Sequence, residues 1–312
     1  MEIGLIDVDG HNFPNLALMR ISAYHKARGD NVEWWQPPLC KPWYDIVYMS
    51  KIFSDAYTPD EQEPINAGTI IKGGTGYCIS LDADGKEHFD KSKNVTLPDE
   101  VERMFPDYLI YPEFNFAVAM TSRGCPRGCA FCHVTSKEGR CSVKVADVKD
   151  FWSGQPEIKV LDPNITACRE KRDLLRQYKE TGAYIDFTQG LDIRLINDAD
   201  IADLNEMKIH RLHFAWDNPE DDLKDAFDRF SKAFRIKSRS KKMVYVLTNF
   251  NSTLEQDLYR INTLRSLNYD PFVMVYDKPN APRIIKDLQR WCNNKIIFES
   301  CRNFEDYKRG KQ

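Results

Sequence analysis

Short apolar runs alternate with amphipathic helical patterns over the second two thirds of this 312-residue chain, and this alternation restricts the fold more than any other feature. Short, uninterrupted apolar runs are typical of parallel strands that are buried on both faces. Such runs predict six strands, over residues 116–120, 158–161, 184–188, 212–216, 243–248 and 272–276. Six strand–helix units are too few for an eight-stranded barrel. The pattern therefore predicts a partial (β/α)6 barrel with its active site at the carboxyl ends of the strands.

Two of the connecting segments carry helix-start signals. Asn218 precedes Pro219, which predicts an N-cap followed by proline at the first helical position. Ser252 and Glu255 have the spacing of a capping box. His213 lies inside a predicted strand and is expected to be a core histidine. We interpret the apolar residues that follow the two signals as core packing; they are Leu223, Ala226, Phe227, Phe230, Phe234, Leu254, Leu258, Ile261 and Leu264.

The N-terminal third shows the same alternation. Strands are predicted over residues 3–6, 32–35, 46–49 and 69–71. Helical spacing predicts a helix between Pro14 and Gly29, whereas residues 51–66 have no clear pattern and are expected to form a loop. The chain is therefore predicted to be α/β, with a doubly wound open sheet and a connector over 1–112. The partial barrel and a C-terminal helix are predicted over 113–312.

Composition and charge exclude several classes of protein. The chain has 44 Lys and Arg against 47 Asp and Glu, and this net charge of −3 disfavours a globally basic nucleic-acid binder. Apolar runs are too short for a transmembrane helix. Asp7 and Asp9 interrupt the first apolar stretch, which argues against a signal peptide. Nine cysteines without a secretory signal indicate a reducing compartment, so we expect a cytoplasmic protein without a membrane partner.

Three of the nine cysteines lie close together, at Cys125, Cys129 and Cys132. This C-x3-C-x2-C spacing allows three thiolates to converge on one metal site, and Gly124 and Gly128 permit the tight backbone turns that this requires. Three cysteines leave one iron of a four-iron cluster without a protein ligand, which favours chemistry over a purely structural role. The alternative is a zinc knuckle with His133 as its fourth ligand.

At these residues the chain resembles the radical SAM enzymes, whose signature is CxxxCxxC with an aromatic residue before the last cysteine; Phe131 fills that position. The resemblance extends over roughly residues 113–277. It implies that the cysteines bind a [4Fe–4S] cluster and that the fourth iron binds S-adenosylmethionine (SAM). It further implies reductive cleavage of SAM to methionine and a 5′-deoxyadenosyl radical, which abstracts a substrate hydrogen. The electron would come from a reductant such as flavodoxin or ferredoxin.

The resemblance also suggests SAM contacts. It implies that the backbone near Phe131 and His133 approaches the adenine. Many family members carry Gly-Gly-Glu after the second barrel strand to hold the SAM amino group, and this chain has Asp162 and Asn164 there as candidate acceptors. Other strand ends offer polar groups for ribose hydroxyls or a carboxylate, with a structural Asp–Arg pair as the alternative. These groups are Gln189, Asp192, Arg194 and Asn249.

The N-terminal domain resembles the cobalamin-binding domain of a large radical SAM subgroup. Asp9 and His11 match the first two positions of the D-x-H-x-x-G motif of that subgroup, but Pro14 stands where the motif has glycine. Proline fixes φ and removes an N–H group, so we expect a vestigial or substrate-binding use of this fold rather than cobalamin binding. A cobalamin-dependent radical SAM methylase is the alternative.

A basic stretch precedes the fifth barrel strand. We interpret it as a solvated helix end and loop, and the alternative is a phosphate contact to RNA or DNA. A non-catalytic iron–sulfur or zinc protein that binds nucleic acid is therefore the competing functional class. The basic residues are Lys232, Arg235, Lys237, Arg239, Lys241 and Lys242.

Overall fold

The computed structural model of the protein describes residues 1–83 and 85–308. The chain divides into two compact units. The first comprises Met1–Val118, Gly124–Arg140 and Ala146–Gln155, and the second comprises Ala119–Arg123, Cys141–Val145 and Pro156–Gln312. Residues 309–312, at the end of the predicted second domain, lie outside the described residues. No helix in the described ranges combines the length and the apolar character that crossing a bilayer requires.

A parallel sheet forms the centre of the first unit. Its strands and helices are β1 (Glu2–Asp7), α1 (Leu16–Ala27), β2 (Asn31–Trp34), β3 (Tyr44–Ser50), β4 (Ala67–Gly73), β5 (Ile79–Leu81), β6 (Glu87–Phe89) and α2 (Asp99–Glu102). The sheet has the strand order β2-β1-β3-β4, and every neighbouring pair is parallel. The four predicted N-terminal strands are thereby confirmed. Residues 51–66 contain neither helix nor strand, as predicted.

Local signals explain why this sheet and its helix form. Asn15 is the N-cap of α1, where its side chain accepts a hydrogen bond from the Leu18 amide at 3.3 Å. Gly29 follows the helix with a left-handed φ of 81°, which suits glycine. Ile3 and Leu5 pack against Leu18, so β1 and α1 share one apolar core.

Four short strands and helices lie at the start of the predicted second domain. They are β7 (Ala117–Ala119), β8 (Ser122–Arg123), α3 (Val134–Glu138) and β9 (Val143–Lys144). The compact units differ here from the predicted boundary at 112/113, because the cysteine-bearing segment 124–140 belongs to the first unit. Lys137 Nζ donates to Thr75 Oγ1 at 2.6 Å, and His133 Nε2 lies 3.1 Å from a Glu87 carboxylate oxygen. These contacts join residues far apart in sequence.

A six-stranded sheet with the order β14-β13-β12-β11-β10-β7 follows. The remaining elements are β10 (Glu157–Val160), α4 (Lys171–Thr181), β11 (Tyr184–Leu191), α5 (Asp198–Glu206), β12 (Lys208–Ala215), α6 (Lys224–Ala233), β13 (Lys242–Thr248), α7 (Leu254–Ser266), β14 (Asp270–Val275), α8 (Arg283–Asn293) and α9 (Lys295–Ser300). Neighbouring strands from β10 to β14 are parallel. The six predicted strands and the α/β class are confirmed.

The two faces of this sheet differ in polarity because successive side chains on a strand point to opposite faces. Phe187 and Phe214 are buried on the face that meets the helices, where Phe214 packs edge-on against Phe227 of α6. Asp186 and His213 alternate with them and occupy the opposite face. His213 is 6% exposed, as predicted for a core histidine.

Two predicted helix starts were wrong. Helix α6 begins at Lys224, with Leu223 at its N-cap position, rather than beside Asn218. The Asn218 side chain instead accepts from the Glu220 amide, in a turn ahead of the helix. Helix α7 has Thr253 as its N-cap, one residue after the predicted Ser252, and its capping-box partner is Gln256. Several adjacent residues could serve as caps in both segments, and packing decides among them.

Candidate functional site

The three clustered cysteines lie on the loop between β8 and α3. Gly124 and Gly128 have φ angles of 85° and 61°, a left-handed conformation that glycine adopts without strain. The Cys132 amide donates to the Cys129 carbonyl at 3.0 Å, which closes a tight turn between the second and third cysteines. The Cys125 amide donates to the Gly139 carbonyl at 3.2 Å. The loop is therefore wrapped locally, as its glycines predicted.

The thiols of this loop fit an iron–sulfur cluster in their chemistry. Cys129 is exposed and Cys125 and Cys132 are partly buried, so all three can be reached from outside the core. Soft thiolates are the ligands that hold iron–sulfur clusters. Other cysteines differ: burial raises the pKa of the Cys168 thiol, and it raises the pKa of Cys292 to about 12. A buried, protonated thiol is a poor metal ligand.

His133, the alternative zinc ligand, follows this loop directly and precedes the first residue of α3. Its ring is stacked on Phe89 with 6.0 Å between centroids, and its Nε2 lies beside Glu87. Phe131 and His133 are both partly buried. Their predicted approach to an adenine stays a prediction.

Asp162 follows β10 and is only 2% exposed. Its carboxylate accepts from the Thr121 amide at 2.7 Å, from the Thr121 hydroxyl at 2.8 Å and from the Ser122 hydroxyl at 2.6 Å. Burial raises the pKa of Asp162 to about 6, although these hydrogen bonds lower it. In the structure, Asp162 therefore holds residues 121–122 against the end of β10. Contact between Asp162 and SAM stays a prediction.

Three further predicted residues lie in the loops after β10 and β11. The Asn164 side chain accepts from the Thr166 hydroxyl at 2.7 Å, and Thr166 in turn accepts from the Asp192 amide at 3.0 Å. Arg194 Nε donates to Asp192 at 2.7 Å, and its guanidinium also reaches Asp221, in the loop after β12, at 2.5 Å. The Asp–Arg pair of the alternative interpretation is thus present. These contacts tie neighbouring strand-end loops together.

The other two predicted strand-end residues stand apart from this network. Gln189 is exposed near the end of β11. Asn249 follows β13 with a left-handed φ of 63°, and its side-chain amide donates to the Tyr276 carbonyl at 2.8 Å. Asparagine adopts this conformation more readily than most residues. Asn249 therefore joins the loops after β13 and β14, and any ligand contact stays a prediction.

Sequence reasoning missed a buried arginine that organises the same end of the sheet. Arg260 of α7 is 1% exposed and pairs with Asp257 at 2.5 Å. Its guanidinium also donates to three strand-end carbonyls, those of Trp216, Asp217 and Leu247. The available signal was the i, i+3 spacing of Asp257 and Arg260 beside the apolar stripe of a predicted helix. Burial also raises the pKa of the neighbouring Asp217 carboxyl to about 6.

The residues that match the cobalamin motif have other contacts in the first unit. Asp9 accepts hydrogen bonds from the amides of Ile52 and Phe53 in the loop after β3. The His11 ring packs on Trp34 with 4.1 Å between centroids. The expected vestigial or substrate-binding use of this fold stays a prediction.

Much of the basic stretch is used by the fold. Lys237 Nζ donates to the Phe234 carbonyl at the end of α6, Lys241 Nζ donates to the Ile209 carbonyl, and Lys242 is fully buried. These contacts favour the structural interpretation over a phosphate contact. Comparison with known proteins finds no protein-family model and no curated protein that matches the chain.

Proposed function

We propose that the protein is a radical SAM enzyme in which Cys125, Cys129 and Cys132 hold a [4Fe–4S] cluster. The observation that carries the proposal is the C-x3-C-x2-C loop, with left-handed glycines, in a chain whose parallel strands alternate with helices. The finer architecture belongs to the same proposal: a doubly wound N-terminal sheet and a partial barrel. So does a cytoplasmic location, where thiols stay reduced.

The loop residues would have distinct tasks. The three cysteines would bind iron as thiolates, and their number leaves one iron open to a further ligand. The bound cluster would supply the electron that cleaves SAM, with flavodoxin or ferredoxin as the reductant class. Gly124 and Gly128 let the backbone turn so that the sulfurs converge. The strand-end contacts of Asp192, Arg194 and Asn249 would keep the sheet edge rigid during turnover.

The test is anaerobic reconstitution with iron and sulfide, followed by dithionite, SAM and measurement of 5′-deoxyadenosine. We expect about four irons per chain and formation of 5′-deoxyadenosine by the wild type. The Cys125→Ala, Cys129→Ala, Cys132→Ala triple variant should lose both. Cys40→Ala is the matched control, because Cys40 is also exposed in the first unit but lies far from the loop in sequence, and it should behave as the wild type.

Other outcomes would contradict the proposal. One zinc per chain and no iron would favour the zinc knuckle. Equal iron content in the wild type and the triple variant would show that the loop cysteines do not bind the iron. Corrinoid absorbance that disappears in His11→Ala would favour the cobalamin-dependent methylase, which is a radical SAM enzyme with the same cluster.

A further inference from the structure

We propose that Glu157, Asp186 and His210 form a binding site for a divalent transition-metal ion on the face of the six-stranded sheet opposite its helices. One ligand atom from each residue lies within 4.8 Å of the other two. His210 Nδ1 is 3.3 Å from a Glu157 carboxylate oxygen. Two carboxylates and an imidazole at such distances are a ligand set that first-row divalent metals accept, with water completing the coordination.

The strand register explains how these residues meet. They come from three neighbouring strands, β10, β11 and β12. The pairing of β11 with β12 shifts after Ile185, so that Ile185 is opposite Ile209 but Asp186 is opposite Arg211. His210 is therefore the extra residue of a bulge. Bulges re-aim a side chain out of the regular alternation, and this one places His210 beside Glu157.

Asp186 supplies the second observation that points to a ligand. The residue is 6% exposed, and its buried Oδ1 atom accepts no hydrogen bond from the described residues. His213 Nδ1 lies 3.4 Å from that oxygen, but the same nitrogen lies closer to the Phe187 carbonyl, at 3.1 Å. A buried carboxylate oxygen that accepts no hydrogen bond is costly, and a bound cation would stabilise it.

Lys159 places a positive charge beside two of the proposed metal ligands. Its ammonium lies 2.7 Å from one Glu157 oxygen and 3.3 Å from Asp186 Oδ2. The Glu157 oxygen that faces His210 is the other one of the carboxylate. The metal would therefore bind next to the ammonium, and repulsion between the two positive charges would weaken its binding. Removal of this lysine charge should strengthen metal binding.

The site is independent of the proposed iron–sulfur chemistry. Glu157 is the first residue of β10, and Asp186 and His210 lie in the amino-terminal halves of their strands. Most of the predicted SAM contacts lie near or beyond the carboxyl ends of their strands; these are Asp162, Asn164, Gln189, Asp192, Arg194 and Asn249. Carboxylate and imidazole ligands also differ from thiolates in the metals they accept, because Mn²⁺ prefers oxygen ligands and binds thiolates poorly.

The test is a titration of the full chain with Mn²⁺, in which electron paramagnetic resonance counts the unbound ion. The wild type and the triple cysteine variant should both bind one Mn²⁺ per chain. Asp186→Asn should abolish binding, and His210→Gln should weaken it by about tenfold or more. Lys159→Met should tighten it. His88→Gln is the control, because His88 is an exposed histidine that is paired with Asp82 outside this cluster.

The results separate the two proposals. Binding by the triple cysteine variant together with loss in His210→Gln supports the metal site even if the protein forms no cluster. The proposal is overturned if the wild type binds no Mn²⁺, or if His210→Gln binds it as tightly as the wild type. His210 is partly exposed at a bulge, so His210→Gln gives this answer even if Asp186→Asn fails to fold.

Discussion

The buried carboxylate of Asp162 allows a quantitative test of the structure. In Asp162→Asn the side chain keeps one oxygen for the Thr121 amide, and its NH₂ group can donate to the Thr121 and Ser122 hydroxyls, which rotate to accept. Asp162→Ala leaves the amide and the Ser122 hydroxyl buried without an acceptor. An unsatisfied buried group costs about 1–3 kcal/mol. We therefore expect the free energy of unfolding of Asp162→Ala to be about 2–6 kcal/mol lower than that of Asp162→Asn, measured by urea denaturation.

The same residue predicts a pH dependence. Burial raises the pKa of Asp162 from 3.8 to about 6 in the folded protein, so the folded state holds this proton more tightly than the unfolded chain. The stability that it contributes is fully present below pH 3.8 and is lost as the pH rises through about 6. A difference of roughly two units between the folded and unfolded pKa values corresponds to about 3 kcal/mol of stability. Asp162→Asn has no such proton.

The comparison of wild type with Asp162→Asn isolates this effect. The difference in unfolding free energy, wild type minus variant, should fall by up to about 3 kcal/mol between about pH 4 and about pH 7. A constant difference across that range would refute the raised pKa. Equal stability of Asp162→Ala and Asp162→Asn would refute the hydrogen-bond network.

Two further pairs of substitutions test the packing, each by urea denaturation. Gly74→Ala should cost more than about 3 kcal/mol, because its Cβ would overlap the Lys51 carbonyl and its φ is 104°. Gly29→Ala has a similar φ of 81° but open space around its Cβ, so a cost of about 1 kcal/mol is expected, and equal costs would contradict the overlap. Arg260→Ala should cost about 3–5 kcal/mol, because it leaves Asp257 as a buried charge. Arg176 forms an exposed ion pair, so Arg176→Ala should change the free energy of unfolding by less than about 0.5 kcal/mol. An equally small change in Arg260→Ala would refute the buried pair.

Most of the secondary structure was predictable because its signals are local. Apolar runs and helical spacing are read over a few neighbouring residues, and they predicted the four N-terminal strands and the six later ones. The helix starts at Asn218 and Ser252 failed for the opposite reason. Each lies among several residues able to cap, and the choice depends on where packing begins the helix.

The candidate site was also predictable only where its residues are neighbours in the sequence. The cysteine loop could be recognised from spacing alone, since its three ligands and two glycines lie in one short segment. The partners of Asp162 could not, because Thr121 and Ser122 lie some 40 residues earlier in the chain. The contacts of Asp192 with Thr166 and of Arg194 with Asp221 also join residues separated by more than 25 positions. They show that two residues predicted to bind a ligand hold neighbouring loops together.

The sequence by itself determined the α/β class, the positions of the strands and the cysteine loop, because residues adjacent in the chain carry each of these patterns. The tertiary structure alone decided the strand order, the association of segment 124–140 with the first unit and the meeting of Glu157, Asp186 and His210. Parallel strands bring together residues separated by whole strand–helix units, and a single-residue bulge decides which side chain reaches the cluster. Neither effect leaves a local trace in the amino-acid pattern.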